Sequence, residues 1–201
     1  MYKIILASNS PRRRELLSGL DLDFEVHVLK DIDESYPDDL PANEVAAYIS
    51  KKKAAAYRNI ISDDQLVITA DTVVVLGNHI LGKPATHEEA VEMLRMLSGK
   101  SHHVITGVSL TTTEQQRSLS VTSEVTFKEL TDEEIEYYVD NYRPYDKAGA
   151  YGIQEWIGYV GVTSLRGSYF NVMGLPVQRI YQELTDMFPV SELIRGGKAL
   201  P

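Results

Sequence analysis

One carboxylate lies in the middle of the most apolar segment of the chain. Asp71 follows Leu66–Ile68 and precedes Val73–Leu76, and most of these residues are β-branched. The pattern predicts a strand that is buried on both faces. An ionised carboxylate is costly to bury alone, so Asp71 must meet a cation, a metal or hydrogen-bond donors. The strand alone leaves a catalytic carboxylate and a structural ion pair as equal alternatives.

Three consecutive arginines stand at a predicted helix start. Arg12–Arg14 follow Ser10 and Pro11, the usual residue types for an N-cap and a first helical position. The free N–H groups and the positive dipole end of such a helix bind anions. Because arginines there oppose the dipole, a purely structural sequence would place acidic residues instead. We therefore favour an anion site over a solvated run of charge.

Two lysines complete the cationic set. Lys53 lies nearest the apolar stripe of a helix predicted over 43–59, where a lysine either extends to solvent or meets an anion. Lys83 stands beside Pro84, after the Asp71 strand. Together with the arginines, these residues fit a polyphosphate held by cations, while a carboxylate orients or deprotonates water and Mg²⁺ neutralises the phosphates.

Two loops carry further polar residues. Asp33 and Glu34 lie in an acidic loop after the second predicted strand, where one of them could ligate a hard metal such as Mg²⁺. Lys147 and Gln154 lie in a segment with two glycines, which suits recognition of a polar heterocycle. An ordinary irregular connection is the alternative for that segment.

Composition limits the classes of protein. The chain has 201 residues and is 43% apolar, which is enough for one substantial domain. Its formal net charge of −9 argues against a nucleic-acid binder. It has no cysteine, so disulfides and cysteine-ligated zinc are excluded. No stretch is typical of a signal peptide or a membrane span. We predict a cytoplasmic protein with one domain over 1–190 and a mobile tail over 191–201.

The elements that position these residues alternate along most of the chain. Predicted strands cover 2–7, 24–29, 65–76, 79–81, 101–113 and 117–127, with short strands at 156–162 and 168–172. Predicted helices start at Pro11, Asn43, Thr86, Thr131 and near Pro176.

Common nucleotide and hydrolase motifs are absent, but seven other segments are spread over almost the whole chain: ASNSPRRREL, KKA at 52–54, ADT at 70–72, GKP at 82–84, SGKSHHVITGV, DKAGAYGIQ and NVMGLP. In sequence and in order, these segments resemble the Maf family of nucleoside triphosphate pyrophosphatases. The resemblance implies a mixed α/β fold of the inosine triphosphatase-like (Maf/Ham1) type. In that fold an elongated twisted sheet is flanked by helices around a central cleft.

The resemblance also implies a reaction and its residues. The reaction is hydrolysis of dTTP and UTP between the α and β phosphates, giving the monophosphate and pyrophosphate, with Mg²⁺ or Mn²⁺ as cofactor. Asp71 would be the proton acceptor, and Glu34 would hold the metal with it. The remaining assignments are Arg12, Thr72 and Gln154 for substrate choice, Ser8, Arg13, Lys53 and Lys83 for the phosphates, and Lys147 with Gln154 for the base.

Two rival functions stay open at this stage. One is a nucleotide-sensing regulator of division or stress that does not turn its ligand over, and the other is a general phosphatase. A carboxylate beside the phosphates gives a pure binder no advantage unless a metal lies between them. A homodimer and a house-cleaning or division-arrest role are expectations drawn from the family.

Overall fold

The computed structural model describes residues 2–189. The tail predicted over 191–201 lies outside the described residues, as do both end residues of the domain predicted over 1–190. Among the described helices, none has the length and apolar character that a membrane crossing requires.

Residues 2–189 form seven strands and seven α-helices. The strands are β1 Lys3–Leu6, β2 Phe24–Val26, β3 Gln65–Leu76, β4 His79–Leu81, β5 Ser101–Thr111, β6 Gln116–Phe127 and β7 Val162–Arg166. The helices are α1 Pro11–Ser18, α2 Ala42–Tyr57, α3 His87–Leu97, α4 Asp132–Tyr142, α5 Trp156–Gly161, α6 Tyr169–Met173 and α7 Val177–Met187. A 3₁₀ turn occupies Ala148–Ala150.

The strands form one mixed sheet, in the order β2-β1-β3-β5-β6-β7, with β4 paired to β3. β1 runs parallel to both β2 and β3, whereas β4 and β7 pair antiparallel with β3 and β6. The predicted mixed α/β class, a sheet flanked by helices, is confirmed.

The described chain divides into two compact units. The first takes in the chain up to Asp71, Thr106–Val121 and the chain from Gly174 onward. Its strands β1 and β3 are parallel, with Leu6 opposite Ile68, and α2 packs its buried residues Val45, Ala46 and Ile49 into the interior. The second unit consists of Thr72–Ile105 and Thr122–Met173, and an apolar cluster within it joins residues of α3, α4 and α5.

The capping signals of the sequence are confirmed. Ser10, Thr86 and Thr131 cap α1, α3 and α4 with their side chains, and Thr131 forms a capping box with Glu134. These caps satisfy N–H groups that have no partner within the helix, which is why they mark the helix starts so well.

Two short strand predictions were wrong. The segment predicted as a strand over 156–162 forms helix α5, with β7 starting only at Val162. The segment predicted over 168–172 lies mainly in helix α6. Both segments mix aromatic and β-branched residues, whose strand preference is decided by packing rather than by the backbone.

Gly107 in β5 allows helix α2 to approach the sheet closely. A Cβ atom at this position would lie 2.3 Å from the backbone of Ala46 and Ala47. The same helix carries Lys53, so the approach permitted by Gly107 also fixes the depth of that lysine.

We expect Gly107→Ala to lower the free energy of unfolding by about 1–3 kcal/mol, the cost of overpacking a filled interior. Urea unfolding followed by circular dichroism measures this change. Gly82→Ala is the matched control, because a Cβ there meets nothing within 4 Å. Equal stability of the two variants would contradict the close approach.

Candidate active site

The start of α1, where the sequence predicts an anion site, is capped by Ser10. The Ser10 side chain accepts a hydrogen bond from the backbone N–H of Arg13 at 3.4 Å, and the Ser10 N–H donates to Ser8 Oγ at 3.2 Å. Ser8 is buried and Arg12 is half-buried. The turn before α1 is therefore ordered by two serine hydroxyls.

Arg13 is anchored by backbone carbonyls. Its Nε donates to the Gly174 oxygen at 2.8 Å, and its Nη1 donates to the Ala70 oxygen at 2.9 Å. Burial lowers the pKa of Arg13, while the neighbouring carboxylates of Asp71 and Glu34 act in the opposite direction. The guanidinium is thus fixed beside Asp71 by the carbonyl of the residue that precedes it.

Lys53 joins the two acidic residues singled out in the sequence. Its Nζ lies 2.9 Å from Asp71 Oδ1 and 3.0 Å from Glu34 Oε1. The Lys53 and Asp71 side chains are only 13% and 14% exposed, whereas Glu34 is 54% exposed. Asp71 therefore meets the cation that its buried strand required.

The neighbouring lysine ties down the acidic loop. Lys52 Nζ lies 2.6 Å from Asp33 Oδ2 and donates to the Ser35 carbonyl at 2.9 Å. The hydrogen bond from Lys52, together with those from the Ser35 N–H and hydroxyl, holds the pKa of Asp33 well below its usual range. Consecutive lysines of α2 thus bind consecutive acids of the loop, and this pairing places Glu34, but not Asp33, beside Asp71.

The carboxylates suit a magnesium or manganese ion bound jointly with phosphate. Glu34 and Asp71 converge on one nitrogen, and their second oxygens accept no hydrogen bond from the described residues. Nowhere in residues 2–189 do three or more His, Cys, Asp or Glu side chains gather. Mg²⁺ commonly takes one or two carboxylates and completes its shell with substrate phosphates and water, so the residues present fit such an ion.

The second unit holds the other predicted residues. Thr72 is half-buried, and Lys83 is exposed in the turn after β4. Gln154 is half-buried, and its Oε1 atom is buried without a hydrogen-bond partner among the residues described. A buried acceptor without a partner is uncommon and indicates a ligand or water that supplies the donor.

Lys147 is held by carboxylates. Its Nζ lies 2.8 Å from Asp146 Oδ1 and 3.0 Å from Glu155 Oε1, and its side chain is only 9% exposed. Glu155 also accepts a hydrogen bond from the Tyr138 hydroxyl, which in turn accepts one from the Gly152 N–H at 3.0 Å. Burial and the Glu155 carboxylate raise the pKa of Tyr138, which keeps this hydroxyl a donor.

His102 anchors the same segment from β5. Its Nε2 lies 2.7 Å from the hydroxyl of Tyr151, and both side chains are buried. Burial, and to a lesser extent the nearby His103, lowers the pKa of His102 to about 4. His102 is therefore a packed residue that supports the loop around Tyr151.

Sequence reasoning missed Glu155 and Tyr138. Glu155 immediately precedes α5, which was predicted as a strand, so its position at a helix start was not recognised. An acid directly after Gln154 was the only signal available. Tyr138 resembled the other core residues of α4.

Comparison with known proteins defines the family. The family described as Maf-like protein matches residues 3–187. The chain belongs to this family, as its seven motif segments indicate.

Relatives in three genera carry the same name. A protein of Bacteroides thetaiotaomicron named dTTP/UTP pyrophosphatase is 62% identical over 183 residues, which cover 91% of this chain and 95% of that protein. A protein of Porphyromonas gingivalis with that name is 54% identical, and the match covers 92% of this chain and 94% of that protein. Another, from Flavobacterium johnsoniae, is 48% identical, and the match covers 92% of this chain and 95% of that protein. A solved HAM1 protein from Coxiella burnetii is 16% identical with a TM-score of 0.46, covering 92% of this chain and all of that one.

The buried histidine makes stability depend on pH. Because the pKa of His102 falls from 6.5 to about 4 on folding, the unfolded chain binds the proton more readily between these values. The stabilisation is complete above pH 6.5 and is lost as the pH falls toward 4, by up to about 3 kcal/mol.

We expect His102→Gln to remove this part of the pH dependence. Urea unfolding at several pH values between 4 and 7 measures it, with the exposed His79→Gln as control. A wild-type slope in His102→Gln would show that other groups cause the loss of stability in acid.

Proposed function

We propose that the chain is a nucleoside triphosphate pyrophosphatase that hydrolyses dTTP and UTP to the monophosphate and pyrophosphate. The observation that carries the proposal is Asp71, a nearly buried strand carboxylate held by Lys53, with Glu34 on the same ammonium group. The names of the relatives support the choice of substrates.

Asp71 is suited to accept a proton from the attacking water. Lys53 binds Oδ1 and no other described residue donates to the carboxylate, so its remaining lone pairs can serve both a proton and a metal ion. The fixed position of the carboxylate reduces the reorganisation that the reaction would otherwise require. Arg13 and Lys53 lie beside it and supply positive charge where the phosphates become more negative.

Glu34 and Asp71 would hold the divalent ion. When bound, Mg²⁺ or Mn²⁺ neutralises phosphate charge and makes the phosphorus more susceptible to water. As the family resemblance implies, we assign Ser8 and Lys83 to the phosphates, and Arg12 and Thr72 to substrate choice.

Gln154 is proposed as the base reader. Its Oε1 lacks a partner in the described part of the chain, so it can accept the N3–H of uracil or thymine. Cytosine has no hydrogen at N3 and presents an acceptor there. Lys147 is proposed as a second contact, to a carbonyl oxygen at the edge of the base.

A nucleotide sensor without turnover is the alternative. The nearly buried Asp71 favours the enzyme, because a carboxylate beside phosphates weakens the binding of an anion unless it serves chemistry or a metal. A cytoplasmic location, a homodimer and a role in division arrest stay predictions.

A turnover screen tests the proposal. The purified chain is incubated with dTTP, UTP, CTP, ATP and GTP in the presence of Mg²⁺ or Mn²⁺, and pyrophosphate and orthophosphate are measured separately. We expect pyrophosphate from dTTP and UTP. Orthophosphate as the first product would indicate a general phosphatase, and nucleotide binding without either product would indicate the sensor.

We expect Asp71→Asn to lower kcat by about 100-fold or more, because the amide keeps the shape of the side chain but cannot accept the proton. Steady-state kinetics with dTTP measures the loss, and calorimetry shows whether nucleotide still binds. Glu183→Gln is the control, since Glu183 is also paired with arginines and only 18% exposed. Wild-type turnover by Asp71→Asn would exclude Asp71 as the base.

Gln154→Glu should remove base selection. A carboxylate cannot donate to the O4 carbonyl and repels it, so we expect the preference of the wild type for dTTP and UTP over CTP, about tenfold or more, to disappear. The ratio of kcat/KM values measures it, with the exposed Gln178→Glu as control. If Gln154→Glu keeps the wild-type order of substrates, base selection must lie elsewhere, with Arg12 and Thr72 as the next candidates.

A further inference from the structure

Glu155 links both ends of the loop formed by residues 146–154. One oxygen, Oε1, lies 3.0 Å from the Nζ of Lys147 near the start of the loop, and the other accepts a hydrogen bond from Tyr138. The backbone N–H of Glu155 donates to the Gly152 carbonyl at 3.0 Å. Both carboxylate oxygens and the backbone of this residue are therefore engaged in holding the loop.

A continuous chain of hydrogen bonds runs through the carboxylate. The Gly152 N–H donates to the Tyr138 hydroxyl, the hydroxyl donates to Glu155, and Lys147 pairs with Glu155. Tyr138 is fully buried, and the Glu155 and Lys147 side chains are 21% and 9% exposed. Little solvent competes with these bonds, and each member orients the next.

The glycine in this chain makes room for the ion pair. A Cβ at residue 152 would lie 3.0 Å from Glu155 Cδ and 3.0 Å from Lys147 Cε. The backbone of Gly152 thus lies directly against the Glu155–Lys147 pair. A displacement of either side chain must therefore change the packing around Gly152. Gln154 lies between Gly152 and Glu155 in sequence, and both of these residues are fixed.

We propose that Glu155 is a positioning residue for recognition of the nucleobase. By fixing Lys147 and the backbone of Gly152, it holds the unpartnered Gln154 Oε1 at the place where a base must present its donor. This inference rests on the proposed function. Glu155 does not contact the base in this account, and its effect on the base is exerted through Gln154 and Lys147.

Glu155→Gln tests the proposal with little change in shape. An amide cannot accept from Tyr138 and Lys147 at the same time with both of its heteroatoms, because one of them carries hydrogens. We expect the preference for dTTP over CTP in kcat/KM to fall by about tenfold, mainly through a higher KM for dTTP. In the absence of nucleotide, the Gly152 amide hydrogen should exchange faster in Glu155→Gln than in the wild type.

Tyr138→Phe provides a second variant, since it removes the hydroxyl that joins Gly152 to Glu155 and keeps the ring. Like Glu155→Gln, Tyr138→Phe should speed hydrogen exchange at Gly152 and reduce the preference for dTTP over CTP. The matched control is Glu134→Gln, which also loses a lysine partner, at 2.6 Å, and whose side chain is 25% exposed. The control should lower stability while it leaves base preference and Gly152 exchange unchanged.

Binding measurements separate this inference from the proposed function. Calorimetry with α,β-imido-dUTP and α,β-imido-dCTP, which resist cleavage between the α and β phosphates, reports base preference without turnover. If the wild type releases no pyrophosphate from dTTP but prefers the uracil analogue, and Glu155→Gln loses that preference, only the proposed function fails. If Glu155→Gln keeps wild-type base preference in binding, or wild-type exchange at Gly152, the positioning role is overturned.

Discussion

The first unit depends on the ion pairs that the ammonium group of Lys53 forms with Asp71 and Glu34. This group reaches Asp71 on a strand and Glu34 on a loop, so one residue of α2 connects three separate parts of the chain. Without it, a nearly buried carboxylate would have no cation within contact distance on α2, which is costly in an apolar interior. The pair is therefore both a requirement of the fold and the centre of the proposed chemistry.

The elements around Lys53 are arranged to keep it in place. Gly107 lets α2 lie close to β5, and Lys52 binds the acidic loop through Asp33 and Ser35. Tyr57, at the end of α2, donates to the His27 carbonyl and accepts from the Leu29 N–H, which fixes the chain just after β2. The position of Glu34 thus follows from contacts made by neighbours on both sides.

In the second unit, side chains from neighbouring elements hold the irregular loop 146–154 in place. The 146–154 segment has few backbone hydrogen bonds of its own, and it relies on Tyr138, His102 and Glu155 from outside it. Such a loop can present an unpartnered amide oxygen because neighbouring side chains hold the loop in place. Rigidity of this kind is what base selection by a few hydrogen bonds requires.

The sequence by itself determined the starts of α1, α2, α3, α4 and α7 to within one residue, the Asp71 strand and the family. Each of these depends on local signals: N-cap residues, a β-branched run, and motif segments that need no knowledge of distant contacts. The need of Asp71 for a partner also followed from the sequence, because it depends only on burial and charge. The same local signals misled at 156–162 and 168–172, where aromatic and β-branched residues form helices.

Only the tertiary structure decided which partners meet. The sequence already favoured Lys53 and Glu34, but the pairing of Lys53 with both Asp71 and Glu34 depends on how α2 lies against the strand and the loop. The roles of Glu155 and Tyr138 also follow only from the tertiary structure. Their partners are 8 and 17 positions away in sequence, and no local pattern records contacts that are made across a fold.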